Sequence, residues 1–78
     1  MIERRFPRRF DALDAIFAFV AEFLAREGID PEHAFDVDLV VEELFTNMVK
    51  YGRGGAHDIA ILLSRDPRGI AITLRDFD

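Results

Sequence analysis

The sequence contains no cysteine, so neither a disulfide nor a thiolate-bound metal can stabilise the fold. This absence fits a reducing compartment, where disulfides are rare. No apolar run reaches the ~20 residues that a membrane-spanning helix needs, and residues 1–5 lack the apolar stretch of a signal peptide. We therefore expect a cytoplasmic protein that does not enter a membrane.

Positive charge is also scarce, with 10 lysines and arginines against 15 aspartates and glutamates. Because affinity for nucleic acid rests on neutralising phosphates, this balance argues against a nucleic-acid partner. Four arginines nevertheless cluster near the start of the chain: Arg4, Arg5, Arg8 and Arg9. The simplest interpretation is a solvated strand edge, which charged side chains protect from stray pairing. The alternative is a basic patch for a partner.

A chain of 78 residues, half of them apolar, suits one small domain over residues 1–78. Alternating apolar and charged residues predict a strand from Ile2 to Phe6. A helix should follow, with Asp11 as its N-cap and Gly28 as its C-cap. The apolar residues at helical spacing along it are Leu13, Ile16, Phe17, Phe19, Val20, Phe23 and Leu24.

A second helix is predicted from Asp30-Pro31 to about Tyr51, stopped by Gly52, before a flexible glycine-rich connection over residues 52–55. Two strands then alternate apolar and other residues, around 59–63 and 70–74, on either side of a turn at residues 66–69. The order β-α-α-β-β predicts an α+β two-layer sandwich, with two helices packed on one face of an antiparallel sheet.

Helical geometry divides the second helix into faces. The residues predicted to form its core face are Val37, Val40, Val41, Leu44, Phe45, Met48 and Val49. A roughly opposite stripe is predicted to face solvent, and consists of Asp38, Glu42, Thr46 and Lys50. Glu43 and Asn47 lie between the two, one turn apart on the rim of the core. Their oxygens suit Mg²⁺ at the edge of a nucleotide site, although from helical geometry alone a solvated pair is the simpler explanation.

Residues 40–52 read VVEELFTNMVKYG. This segment resembles the nucleotide-site helix of GHKL ATPases, in which a glutamate precedes an asparagine by four residues and a basic or aromatic residue follows one turn later. Thr46-Asn47 with Lys50-Tyr51 is similar to the form in anti-sigma-factor serine kinases and in histidine kinases. The strand and helix upstream favour the serine-kinase branch. Downstream, the strand that ends at Asp76 resembles the entry to the family's first glycine box.

The resemblance implies a partial Bergerat-type ATP-binding fold and a role for each matching residue. Asn47 would hold the Mg²⁺ that bridges the phosphates of ATP, and Glu43 would act as the base on the attacking hydroxyl. Asp76 would accept a hydrogen bond from the adenine amino group. Lys50 would reach a phosphate or remain on the surface. Tyr51, on the core side of the helix edge, would stack near the base or simply pack.

The sequence departs from the family pattern after Asp76, where Phe77-Asp78 stands in place of the expected glycine. The glycine-rich lid over the phosphates is also missing, so we expect an inefficient or inactive kinase that is either part of a longer protein or a shortened relative. Residues 52–55 do not form a P-loop, because no Gly-Lys-Ser/Thr follows.

Three functions remain open. The first is an ATP-binding regulator that resembles anti-sigma-factor serine/threonine kinases, with a sigma factor or an anti-anti-sigma protein as partner. The second is a non-catalytic module that keeps the fold and binds itself or a partner, and the third is a fragment of a histidine kinase catalytic domain. In a shortened sheet one edge stays unpaired, and exposed edges favour pairing with another chain. We therefore expect a homodimer.

Overall fold

The computed structural model describes residues 1–52 and 57–76. It contains five main elements: β1 (Ile2–Phe6), α1 (Leu13–Arg26), α2 (Ala34–Tyr51), β2 (Ile59–Asp66) and β3 (Gly69–Asp76). The sheet has the order β1-β2-β3, and both pairings are antiparallel. The predicted α+β architecture and element order are therefore confirmed. Residues 53–55 of the predicted connection and the final pair 77–78 lie outside the described part of the chain.

The two helices begin differently from one another. A short 3₁₀ turn (Pro31–His33) precedes α2, and Asp30 caps it as predicted, its carboxylate accepting from the backbone N–H of Glu32 at 3.0 Å. Asp11 makes no such cap, so that prediction is wrong. It lies inside a 3₁₀ turn before α1 and pairs instead with Arg9 at 3.2 Å. The extra turn delays the start of α1 to Leu13, two residues beyond the predicted N-cap.

The end of α1 is a Schellman motif. Gly28 takes a φ of +67°, which glycine adopts without a steric penalty. The backbone N–H of Ile29 then donates to the carbonyl of Leu24 at 2.9 Å, and that of Gly28 donates to Ala25 at 3.3 Å. Gly28 therefore closes α1 as predicted, and the half-buried Ile29 packs against the core.

The β2–β3 hairpin follows the predicted turn chemistry. Asp66 and Gly69 are paired across the two-residue loop formed by Pro67 and Arg68. The Asp66 carboxylate accepts from the backbone N–H groups of Arg68 and Gly69, at 2.8 and 3.1 Å. Gly69 has a φ of +142°, in a region that L side chains rarely adopt. This local geometry sets the register of the central strand against β3.

The core lies between the sheet and the two helices. Its largest fully buried side chains are Phe19, Phe23, Phe45, Ile16, Ile59, Ile61, Leu63, Val20 and Val41. Phe6 contributes an edge-to-face contact with Phe19, with ring centroids 5.6 Å apart. Within the described residues, none of the helices is long and apolar enough to cross a membrane.

The orientation of α2 corrects the predicted faces. Val37, Val41 and Phe45 are buried, but Val40 is 45% exposed and Leu44 is 42% exposed, so their assignment to the core is wrong. The other side of the helix is more enclosed than predicted, since Asp38, Glu42 and Thr46 are all half-buried. The reason is that α1 lies beside this flank: Phe17 of α1 shares a surface cavity with Asp38 and Glu42.

Burial gives Asp38 an unusual environment. Its Oδ1 atom is buried and accepts no hydrogen bond within the described part of the protein. Desolvation raises the pKa of Asp38 above its ordinary value of 3.8, and the neighbouring charge of Glu42 adds to this effect. The ionised carboxylate is therefore less stable in the folded chain than in the unfolded one.

The adjacent valines of α2 test its orientation. We expect Val41→Ala to lower the free energy of unfolding by about 2 kcal/mol, since it removes two methyl groups from a fully buried position. Val40→Ala should change it by less than ~0.5 kcal/mol. The gain in helix propensity is the same for both variants and cancels in the comparison. Urea denaturation measures the difference, and equal losses would contradict the orientation described above.

The raised pKa of Asp38 predicts a pH-dependent stability. Because the folded chain holds the proton of Asp38 more tightly than the unfolded chain does, this carboxyl contributes to stability below pH 3.8. That stability is lost as the pH rises through the folded-state pKa of Asp38. Asp38→Asn should therefore raise the melting temperature at pH 7, and the gain over the natural chain should shrink as the pH approaches 4. Asp36→Asn, at an exposed position of the same helix, is the control and should give no gain. A gain in melting temperature that does not depend on pH would contradict the raised pKa of Asp38.

Candidate functional site

A surface cavity of about 460 Å³ lies where the end of α2 meets the end of β3. It is lined by Asn47, Met48, Tyr51, Gly52 and Asp76. The structure thus brings together three residues that the sequence marked as candidate ligands, two from a helix and one from a strand distant in sequence. Two further cavities, of about 260 and 240 Å³, contain none of the candidate residues.

Helical spacing explains the wall contributed by α2. Asn47 and Tyr51 are four residues apart, so they project from the same exposed side of the helix. Met48 is half-buried and joins this side to the core. Tyr51 is 78% exposed, which corrects its predicted place on the core side. Tyr51 is the last residue of α2, because Gly52 ends the helix. In this final part of the helix, Met48 and Val49 are the residues that pack against the core.

The other wall is the end of β3. Asp76 is the last residue of this strand and pairs in register with Ile59, the first residue of β2. Its side chain is 28% exposed and therefore stands at the boundary between the cavity and the interior. The hairpin register sets this position, because every residue from the Asp66–Gly69 turn to Asp76 is paired.

Arg8 lies behind the cavity, a place that the sequence did not predict. Its side chain is only 3% exposed, which corrects the interpretation of this arginine as part of a solvated strand edge. The guanidinium makes an ion pair with the carboxylate of Asp76 through Nη2. It also donates to two backbone carbonyls, from Nη1 to Met48 at 2.9 Å and from Nε to His57 at 3.1 Å. No feature of the sequence distinguished Arg8 from the arginines around it.

Two other arginines of the cluster, Arg4 and Arg9, lie at the surface as the simplest interpretation predicted. Arg4 pairs with Glu22 of α1 at 3.2 Å and lies over the ring of Phe19, 4.9 Å from its centroid. Arg9 pairs with Asp11 and stays largely exposed. These contacts are made close to solvent, where ion pairs contribute little to stability.

Gly52 leaves the space that the guanidinium occupies. A Cβ atom at this position would overlap Nη1 of Arg8 and would press against the carbonyl oxygen of Met48. The backbone of Gly52 is extended, with a φ of −69°, so any residue could adopt its conformation. The lack of a side chain therefore serves the packing of Arg8 against the end of α2, where a cation also interacts favourably with the helix dipole.

Glu43 and Lys50 lie outside the lining of the cavity. Both are exposed on α2, Glu43 one turn before Asn47 and Lys50 on the last turn of the helix. The described residues contain no group of three His, Cys, Asp or Glu side chains that could hold a metal by themselves. One amide oxygen from Asn47 does suit Mg²⁺, which commonly keeps several waters and takes its other ligands from phosphates.

One comparison with known proteins found a related family. A family model described as the histidine kinase-like ATPase domain matches residues 6–78. The match includes both walls of the cavity as well as Arg8. No curated protein and no solved structure matches the chain.

Proposed function

The chain belongs to the histidine kinase-like ATPase family, whose domains bind ATP, and we propose that it acts as an ATP-binding regulator of the anti-sigma-factor serine kinase type. The observation that supports this most directly is the cavity that joins Asn47 on α2 to Asp76 on β3. The resemblance to GHKL ATPases implies that Asn47 serves the phosphate end of the nucleotide through Mg²⁺ and that Asp76 serves the adenine end. A cavity of about 460 Å³ is of the size that small-molecule sites occupy.

We propose that ATP lies along this cavity with its phosphates toward Asn47. Mg²⁺ would neutralise and orient the phosphates, and the amide oxygen of Asn47 would be its protein ligand. The carboxylate of Asp76 would accept a hydrogen bond from the adenine amino group. The exposed ring of Tyr51 offers a face on which the base can stack. Lys50, on the same last turn of α2, would reach a phosphate.

Glu43 is proposed as the base of the kinase reaction. The hydroxyl oxygen of a serine or threonine attacks the γ-phosphorus, the bond to the leaving ADP breaks, and Glu43 takes the hydroxyl proton. Glu43 stands one helical turn before Asn47, and residues at this spacing have Cβ atoms ~5–6 Å apart. Its exposure leaves it open to a side chain presented by a second protein. A sigma factor or an anti-anti-sigma protein in the cytoplasm is the proposed partner.

Titration calorimetry with Mg-ATP tests the nucleotide site. We expect the natural chain to bind, and Asn47→Ala to bind about tenfold or more weakly, because a metal ligand is lost. Repeating the titrations in EDTA should abolish the difference between the two proteins, since Asn47 would act through Mg²⁺. Asp14→Ala, at an exposed position of α1, is the control and should bind as the natural chain does.

Three results would contradict this proposal in different ways. No binding by the natural chain would favour a non-catalytic interaction module that keeps the fold. Equal affinity of the natural chain and Asn47→Ala would remove Asn47 from the metal site. If ATP binds, transfer of its phosphate to a histidine of a partner protein, rather than to a serine, would favour the histidine kinase alternative.

We further propose that the protein is a homodimer that pairs through β3. Within residues 1–52 and 57–76, β3 pairs with β2 alone, so its outer edge presents unpaired backbone groups. Isologous pairing of this edge with a second copy would satisfy them. Light scattering at tens of micromolar protein should give twice the mass of the chain. A single clean monomer over this range would end the proposal.

A further inference from the structure

Arg8 connects three parts of the chain that are distant in sequence. Its guanidinium contacts Met48 on the last turns of α2, His57 just before β2, and Asp76 at the end of β3. The residue separations are 40, 49 and 68. Two of these three acceptors, Met48 and Asp76, line the candidate nucleotide cavity. Arg8 itself is not part of the lining.

The guanidinium is held in place by the backbone as well as by Asp76. Its Nε and Nη1 atoms donate to carbonyl oxygens of the main chain, which cannot rotate away as side chains can. Gly52 leaves room for it against the end of α2. A guanidinium is planar and presents its donors in a rigid fork, so two fixed bonds determine where the third donor, Nη2, points. That donor points to Oδ1 of Asp76.

Burial differs sharply across this ion pair. The Arg8 side chain is 3% exposed and the Asp76 side chain is 28% exposed, so the cation lies inside and the carboxylate lies at the cavity. A carboxylate at the end of a strand could otherwise rotate about its side-chain torsions. A charge-assisted hydrogen bond from a buried, fixed donor restricts that rotation. The hydrogen bond from Arg8 therefore restricts the orientations that Asp76 can present to the cavity.

The orientation of Asp76 matters because the purine bases differ at the position it would contact. Adenine has an amino group, a donor, at N6, and guanine has a carbonyl oxygen, an acceptor, in the corresponding place. An ionised carboxylate only accepts hydrogen bonds, so it favours adenine and repels the guanine oxygen. A carboxylate that is free to turn would discriminate less between them.

We propose that Arg8 is a positioning residue that orients Asp76 toward the base and thereby sets the preference of this site for adenine over guanine nucleotides. This inference rests on the ATP-binding function proposed above. A purely structural role for Arg8 would weaken the binding of both nucleotides to the same extent. The ratio of the two affinities therefore distinguishes positioning from simple support of the fold.

The experiment measures dissociation constants for Mg-ATP and Mg-GTP by calorimetry, in variants whose folding is verified by circular dichroism. Arg8→Met should lower the ATP-to-GTP preference about tenfold, the effect expected for one charge-assisted hydrogen bond. Arg8→Lys should lower it less, because a lysine keeps the charge without the fork. Arg9→Met is the matched control at an exposed position and should leave the preference unchanged.

A double-mutant cycle with Asp76 completes the test. Asp76→Asn should reduce the preference by itself, and adding Arg8→Met to it should cause no further change if Arg8 acts through Asp76. An equal loss of affinity for both nucleotides in the Arg8 variants, or additive effects in the cycle, would overturn the inference and leave the ATP site intact. If Arg8→Met fails to fold, the ratio in Arg8→Lys decides the question. Failure of the natural chain to bind either nucleotide would instead remove the proposed function, and the inference with it.

Discussion

The buried guanidinium of Arg8 is the interaction on which the arrangement of the site depends. A charge at this depth must be paired and hydrogen-bonded, since removing it from water otherwise costs several kcal/mol. Among the described residues, Asp76 supplies an opposite charge, and the backbone carbonyls of Met48 and His57 supply further acceptors. These contacts bring the end of α2, the segment just before β2 and the end of β3 to one side chain. Arg8 thus contacts one residue of each wall of the cavity, Met48 and Asp76, without lining the cavity itself.

The apolar core imposes the second constraint, through the orientation of α2. Val41 and Phe45 are fully buried against the sheet, and this fixes which residues of the helix face outward. Asn47 is thereby exposed beside the end of β3, while the opposite flank of the helix is turned toward α1. One cost of this orientation is the partial burial of Asp38, whose Oδ1 atom is left without a hydrogen bond among the described residues. The same rotation leaves Val40 and Leu44 exposed.

The chemistry of the cavity follows from these two constraints. One wall is the last turn of a helix, which offers an amide and an aromatic ring, and the other is a carboxylate at the end of a strand. This combination is suited to a ligand with a metal-bound polyanion at one end and a hydrogen-bonding base at the other. The chain belongs to the histidine kinase-like ATPase family, whose domains bind ATP, and Mg-ATP is the ligand that we propose for this cavity.

Much of this fold could be predicted from the sequence because its signals are local. Gly28, Asp30 and the Asp66–Gly69 turn determine where elements begin and end through their own backbone chemistry, and alternation distinguishes strand from helix. The motif around Asn47 likewise needs only the sequence of one helix. Only the tertiary structure determined the burial and the partners of side chains that contact residues distant in sequence. Val40 and Val41 are identical residues, and only packing against α1 and the sheet determines which is buried. In the sequence, nothing distinguishes Arg8 from the three arginines near it. Only folding brings Asp76, 68 residues away, into contact with its guanidinium.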